Sequence, residues 1–246
     1  RFMSSESQKK PYFPERVQVA CSQCTLGNLC LPRSLDPEET EQFEHIVNKS
    51  RPIQPGEHIF RAGDKFQTIA AVRAGCFKSY VIDKNGEEQV LGFYLPGEII
   101  CFDAIHEKVH RANVVALDTS SVCGLSFDSV ADMARQLPQL QEELFRVMSL
   151  HIAELEASAA DLSAEERIAR LLCSLAQRFA SRGYSAKEFN LSMSRRDIAS
   201  NLRLATETIS RVLARFQSAG IIRVNRKKVA ILDEEKLREL ARRDTC

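Results

Sequence analysis

Three cysteines fall within ten residues, Cys21-x2-Cys24-x5-Cys30, on a stretch of small and polar side chains. Packing does not account for them, because buried structural cysteines scatter and this stretch has too little apolar material for a core. Three thiolates on one short loop repel one another and need a shared cation or cluster. A structural zinc site usually brings two paired C-x2-C or C/H knuckles. Here the third cysteine is spaced further, and no nearby histidine completes a tetrahedron. An iron–sulfur cluster takes four cysteines, and one can lie far along the chain. Of the eight cysteines, Cys76, Cys101, Cys123 and Cys173 are candidates for the fourth ligand, and spacing does not choose among them. The enzymatic reading of Cys21-x2-Cys24 is a thiol oxidoreductase. That motif normally opens a helix after a strand, whereas polar loop flanks it here. No Gly-rich phosphate loop, Ser/His/Asp constellation or metalloprotease motif is evident, and the chain reads as a non-enzyme.

A second chemistry sits near the other end. Ser194 to Leu213 reads as two short helices joined by a tight turn. Ser194 and Asp197 make a capping pair for the first, and Thr206 is expected to cap the second. In the second helix Ile209, Val212, Leu213 and Phe216 share one face, while Glu207, Ser210 and Arg211 share another. The apolar face anchors; the polar face carries the side-chain types that read base edges in a major groove. Two strand-like runs follow, Ile221–Val224 and Val229–Leu232, around the basic turn Asn225-Arg226-Lys227-Lys228. They predict a wing whose tip reaches phosphates. The expected DNA-facing set is Arg196, Arg203, Thr206, Glu207, Thr208, Ser210, Arg211 and Arg226.

The elements between must position these two chemistries. The chain has 246 residues, room for two cores. Its net charge of +1 hides an asymmetry: between Ala186 and Ala230 ten Lys or Arg stand against three Asp or Glu, so one basic segment sits on an acidic remainder. Asp36 to Asn48 has a helical pattern. From Ile53, turn signals alternate with strand-like runs at Ile69–Val72, Phe77–Ile82, Gln89–Tyr94 and Val114–Leu117, which predicts a β-sandwich or roll. Asn85-Gly86 marks the clearest hairpin. From Pro138 to about Asp161 a long helix is expected, with Leu140, Leu144, Val147, Met148, Ile152, Leu155, Ala159 and Leu162 in one stripe. So narrow a stripe predicts a parallel homodimer seam, with the N-terminal part packing on the β-domain. Leu144, Met148, Ile152, Leu155 and Ala159 are the expected dimerisation residues. Ala164 to Arg182 forms a further helix, stopped by Gly183, and Glu234 to Arg242 a last one. The fold class is therefore α+β, with expected parts 1–34 (ligand loop), 35–136 (sensor roll), 137–162 (dimerisation helix) and 163–246 (winged helix-turn-helix). No run of about twenty apolar residues spans a membrane, and no hydrophobic signal core opens the chain, so a cytoplasmic location is expected.

The order of elements and several strings resemble the fumarate-and-nitrate-reduction (FNR) branch of the cyclic-AMP-receptor-type transcription factors. The strings are the cysteine spacing, Gly92-Phe93-Tyr94-Leu95-Pro96-Gly97-Glu98, Phe102-Asp103-Ala104-Ile105, Thr119-Ser120-Ser121-Val122-Cys123, Ala164-Glu165-Glu166-Arg167 and Glu207-Thr208-Ile209-Ser210-Arg211. The resemblance implies that Cys21, Cys24, Cys30 and Cys123 hold a [4Fe–4S] cluster, which oxygen degrades toward [2Fe–2S]. The remaining cysteines, Cys76, Cys101, Cys173 and Cys246, have no family role and are expected to be packing residues or incidental thiols. It implies a dimer that reads TTGAT half-sites in an inverted repeat through Glu207, Ser210 and Arg211, and releases DNA when the cluster is lost. Glu154, Glu156 and Asp161 on the seam would oppose dimerisation, so an intact cluster could tip the balance. Ile82, Gly86 and Glu87 match the family's contact with RNA polymerase. Thr206 and Arg203 depart from the family pattern of a Val and a turn Gly.

Sensing of a small ligand is the competing function. A cyclic-nucleotide pocket requires a Gly-Glu pair after the Pro-Gly turn and an Arg-Ser pair on the next strand. Here Cys101-Phe102 replaces the first, and Ala112 follows Arg111, so no cyclic nucleotide is expected and Arg111 reads as a surface charge. Haem would need an axial ligand such as His106 or His110, which read as solvent residues on a polar stretch.

Overall fold

The computed structural model describes residues 20–100, 102–158 and 162–242. The cysteine loop opens with a 3-10 turn at Cys21–Gln23, and a second 3-10 turn at Leu31–Ser34 drives Leu31 fully into the core. Helix α1 (Pro37–Glu44) begins with a capping box: the Glu39 amide donates to the Asp36 carboxylate and the Asp36 amide to Glu39. It stops short of the expected Asn48 because Val47 already belongs to a strand.

Among the described residues eight strands then build the roll. They are β1 (Val47–Lys49), β2 (His58–Phe60), β3 (Thr68–Ala74), β4 (Phe77–Ile82), β5 (Glu88–Tyr94), β6 (Ile99–Ile100), β7 (Asn113–Ala116) and β8 (Ser121–Ser126). They form two antiparallel sheets in the orders β1-β8-β3-β6 and β2-β7-β4-β5. Side chains of both, such as Ile69 and Ile100 from one and Phe77 and Val114 from the other, fill one core. The hairpin expected at Asn85-Gly86 joins β4 to β5, with Ile82 opposite Glu88 and Gly86 at φ 82°.

Helices α2 (Phe127–Gln136) and α3 (Pro138–Ser158) follow. The long helix is described to Ser158, and Ala159 and Asp161 lie outside the described residues. Its apolar stripe divides. Leu140 is fully buried in the roll core, and Leu144 and Val147 pack against that core. Leu144, expected at the seam, is half-buried against its own roll. Ile152 and Leu155 remain 56% and 54% exposed, and Phe145 and Leu150 are also bare.

The C-terminal part contains α4 (Ala164–Ala180), β9 (Glu188–Asn190), α5 (Arg195–Leu202), α6 (Thr206–Ser218), β10 (Ile222–Asn225), β11 (Lys228–Ile231) and α7 (Glu234–Ala241). The wing is three-stranded, in the order β10-β11-β9, because Phe189 pairs opposite Val229. This part shares a core with the roll: Cys76, Tyr80, Val90, Phe93 and Leu95 join the cluster of Leu172, Ile198 and Leu213. Cys76 is therefore a packing residue. Cys173, fully buried in the core around α4, is a packing residue as expected, and it is disulfide-bonded, so it is not an incidental free thiol. Cys101 and Cys246 lie outside the described residues. The fold is α+β.

Candidate functional site

The cysteine loop is compact because its own backbone closes it. The Cys24 amide donates to the Cys21 carbonyl, Gly27 to Cys24, and Cys30 to Leu26, at 3.0, 3.0 and 3.1 Å. Ser22 ties it to α1, its amide and hydroxyl both donating to Glu44 at 2.7 and 2.9 Å. Cys123 comes from the middle of a sheet, β8, where it stands opposite Ala71 of β3 and Lys49 of β1. Three ligand candidates on a loop thus meet one on a rigid strand.

Cys21, Cys24, Cys30 and Cys123 line one recess of about 450 Å³, partly open to solvent, whose walls include Phe43, Val47, Ala71 and Leu125. Cys76 sits instead in the core shared with the C-terminal part, and Cys173 lies in α4. Burial pushes the Cys21 and Cys30 thiols up to about 12, and the neighbouring cysteines push the same way. Burial also raises Cys123, against the lowering influence of Arg73, whose guanidinium hydrogen-bonds it. Left alone, these thiols hold their protons; only a strong shared positive charge turns them into ligands. Among the described residues no three His, Cys, Asp or Glu are grouped closely enough for a single metal ion. A zinc ion would need its sulfurs about 2.3 Å from one point. Four thiols around an apolar space could hold a multi-iron cluster, with one cysteine per iron. Arg73 carried no signal in the sequence.

The second site is α5, α6 and the wing. Ser194 and Asp197 form the expected capping box, the Asp197 amide donating to Ser194 at 3.1 Å and the Ser194 amide to Asp197 at 2.9 Å. The cap expected of Thr206 is not made: Ala205 holds the N-cap position without a side-chain bond, and Thr206 is the first helical residue. Ile209, Val212, Leu213 and Phe216 are buried, while Glu207, Ser210 and Arg211 are exposed on the other face. Ser210 donates to the Thr206 carbonyl, and Arg211 reaches Thr208 at 3.4 Å. Arg203 closes the turn in the left-handed region, and Arg226 does so at the wing tip, both exposed. Arg196 pairs with Glu87 of the β4–β5 hairpin at 2.8 Å instead of standing free.

Residues 166–240 match the Crp-like helix-turn-helix domain family, and residues 50–136 match the cyclic nucleotide-binding domain family. Electron transport regulator A of Shewanella oneidensis is 42% identical over 91% of this chain and 90% of its own length. The fumarate and nitrate reduction regulatory protein of Escherichia coli is 38% identical over 91% of this chain and 90% of its own. The chain belongs to this FNR-type family of transcription regulators. The solved structure of FixK2 from Bradyrhizobium japonicum, 24% identical, superposes with a TM-score of 0.72 over 79% of this chain and 97% of that one, which supports the fold.

Two further regions of this FNR-type chain bear on the sequence expectations. Ile82, Gly86 and Glu87 lie together on an exposed hairpin, whose tip Asp83 braces by accepting the Asn85 and Glu87 amides at 2.8 and 2.9 Å. Arg111 is an exposed residue whose guanidinium pairs with Glu107 at 2.5 Å, as a surface charge should. His106 is exposed, but His110 is not a solvent residue: it is 3% exposed and stacks on Phe60 with ring centroids 4.3 Å apart. The chain folds back there, its amide donating to the Asp64 carbonyl, and burial holds the imidazole below its ordinary value. Among the described residues no helix is long and apolar enough to cross a membrane.

Proposed function

We propose that this transcription regulator senses oxygen through a [4Fe–4S] cluster held by Cys21, Cys24, Cys30 and Cys123. The convergence of Cys123, a strand residue, with the loop cysteines carries this reading. When bound, such a cluster would supply an oxygen-labile group whose state oxygen sets. The chain's own residues do the rest. Leu31 anchors the loop in the core, Glu44 fixes its start, and Arg73 offers a cation to the Cys123 sulfur. Leu144, Met148, Ile152, Leu155 and Ala159 form the seam of a parallel homodimer, on which Glu154 and Glu156 repel their copies. Two copies of Glu207, Ser210 and Arg211 then read TTGAT half-sites of an inverted repeat, while Arg196, Arg203, Thr206, Thr208 and Arg226 address the DNA around them. Ile82, Gly86 and Glu87 meet RNA polymerase. The working parts are residues 1–34, 35–136, 137–162 and 163–246, in a cytoplasmic protein without enzymatic activity. Cys101-Phe102 and Ala112 stand where a cyclic-nucleotide pocket needs its Gly-Glu pair and its hydroxyl, so no cyclic nucleotide is expected.

Anaerobic reconstitution tests the reading. The expected product carries about four irons and four sulfides per chain, absorbs visible light, and bleaches in air with loss of affinity for the inverted repeat. Cys123→Ser should lose the iron. Tight binding of one zinc, or a cluster whose loss leaves DNA affinity unchanged, would refute it.

A further inference from the structure

The turn Leu95–Glu98 touches both functional ends of the molecule. On one side Gly97, at φ 91°, lines the cysteine recess. A Cβ added to Gly97 would come within 2.8 Å of the Leu29 Cβ, so the turn and the ligand loop lie against each other without slack. The Gly97 amide donates to the Val72 carbonyl at 2.8 Å and the Val72 amide to the Glu98 carbonyl at 2.9 Å. That stitches the turn to β3, beside Ala71, which pairs with Cys123.

On the other side Glu98 holds the end of α4. Arg178 donates to its carboxylate at 2.8 and 2.6 Å, and Arg182 at 2.6 Å. The same arginines grip the turn's backbone, Arg178 bonding the Phe93 carbonyl and Arg182 the Pro96 carbonyl, each at 2.6 Å. Arg182 is 3% exposed. Its charge has lost most of its water and depends on this one carboxylate, which it shares with a second guanidinium. Such a pair tolerates little displacement: a shift that breaks it leaves Arg182, nearly shut off from water, facing a second cation.

We infer that Glu98 is a positioning residue that couples the cysteine recess to the DNA-binding part, so that ordering of the Leu29 loop is felt at α4. The inference rests on the cluster reading above. Loading the recess fixes Leu29 against Gly97; the turn transmits this through the Glu98 carboxylate to Arg178 and Arg182; α4 carries it to the helices that read DNA. Packed contacts of this kind switch between discrete arrangements, not by gradual deformation.

Amide hydrogen exchange on the full chain, with and without iron and sulfide reconstitution, tests this. In the wild type, loading should slow exchange roughly tenfold or more both in residues 21–30 and in residues 178–183. In Glu98→Gln, which keeps the shape and removes the charge, loading should still slow the loop but leave 178–183 unchanged. A purely structural Glu98 would speed exchange at 178–183 equally in both states and preserve the loading response; that result overturns the inference. So does a loaded wild type whose α4 end does not respond. If Glu98→Gln does not fold, Arg182→Lys carries the same comparison, keeping the cation but losing the fork. A wild type that takes up no iron overturns the cluster reading and this inference with it, and its missing visible absorbance distinguishes that failure from the others.

Discussion

Arg203 is the one residue of the helix-turn-helix held in a conformation its type disfavours. It closes the turn between α5 and α6 at φ 53°, ψ 49°, where its amide reaches back to the Ala199 and Ser200 carbonyls. A Cβ in the left-handed region costs roughly 1–2 kcal/mol, and glycine avoids this at the expense of a more disordered unfolded chain. Arg203→Gly should therefore stabilise the chain by about 0.5–1 kcal/mol, a rise of a few degrees in the thermal midpoint. If Arg203 also meets a phosphate, the slope of log affinity against log salt should shrink by about one for each copy. A lower midpoint would show that the arginine side chain compensates for its own strain. The arginine itself was readable as a departure from a turn glycine; its left-handed backbone is what gives that departure a cost.

At the level of elements, sequence legibility follows how far a signal reaches. Period-two runs placed β3, β4, β5 and β7, and Gly183 and Gly220 marked where α4 and α6 had ended. Strand β8 gave no such signal, since Ser121-Val122-Cys123-Gly124 mixes small and polar residues and owes its strand state to pairing with β1 and β3. That is why spacing could not choose Cys123 over Cys76: only the sheet brings it to the loop. The stripe of α3 was legible as a helix face but not as two faces, because Leu140 and Ile152 look alike in one dimension while one meets the roll and the other meets solvent. The exposed half makes a clean prediction. Ile152 is 56% exposed, so Ile152→Glu removes little packing within the protomer, and circular dichroism and thermal midpoint should nearly hold. Two lost side-chain burials at about 2 kcal/mol each should weaken dimerisation by roughly three orders of magnitude. Sedimentation that shows an unchanged dimer would place the seam elsewhere.

At the scale of the molecule, the DNA-binding part is docked on the roll by charge as well as by its apolar core. Lys78 of β4 donates to Glu88 at 2.6 Å and across the interface to Asp197 at 2.7 Å, and Ser200 bridges the Glu88 carbonyl and the Val90 amide. Burial alone would lower Lys78 and raise Asp197. The bonds between them win in both cases: Lys78 lies above its ordinary value, and Asp197, helped by Ser194, lies below its own. The sign of the linkage follows. A depressed carboxylate contributes stability at every pH above its unfolded value of about 4 and loses it as pH falls through the lower folded value. A raised lysine contributes below its unfolded value of about 10.4 and loses its part only above that. The docking should then be insensitive to pH from about 5 to 9 and loosen only in strong acid or strong base. Lys78→Met removes the partner and leaves Asp197 half-buried beside Ser194. Its carboxyl should then titrate at higher pH, and the acid limb of the urea midpoint should move upward relative to wild type. An acid limb that stays in place in Lys78→Met would mean that Ser194, and not the interface, sets the Asp197 charge.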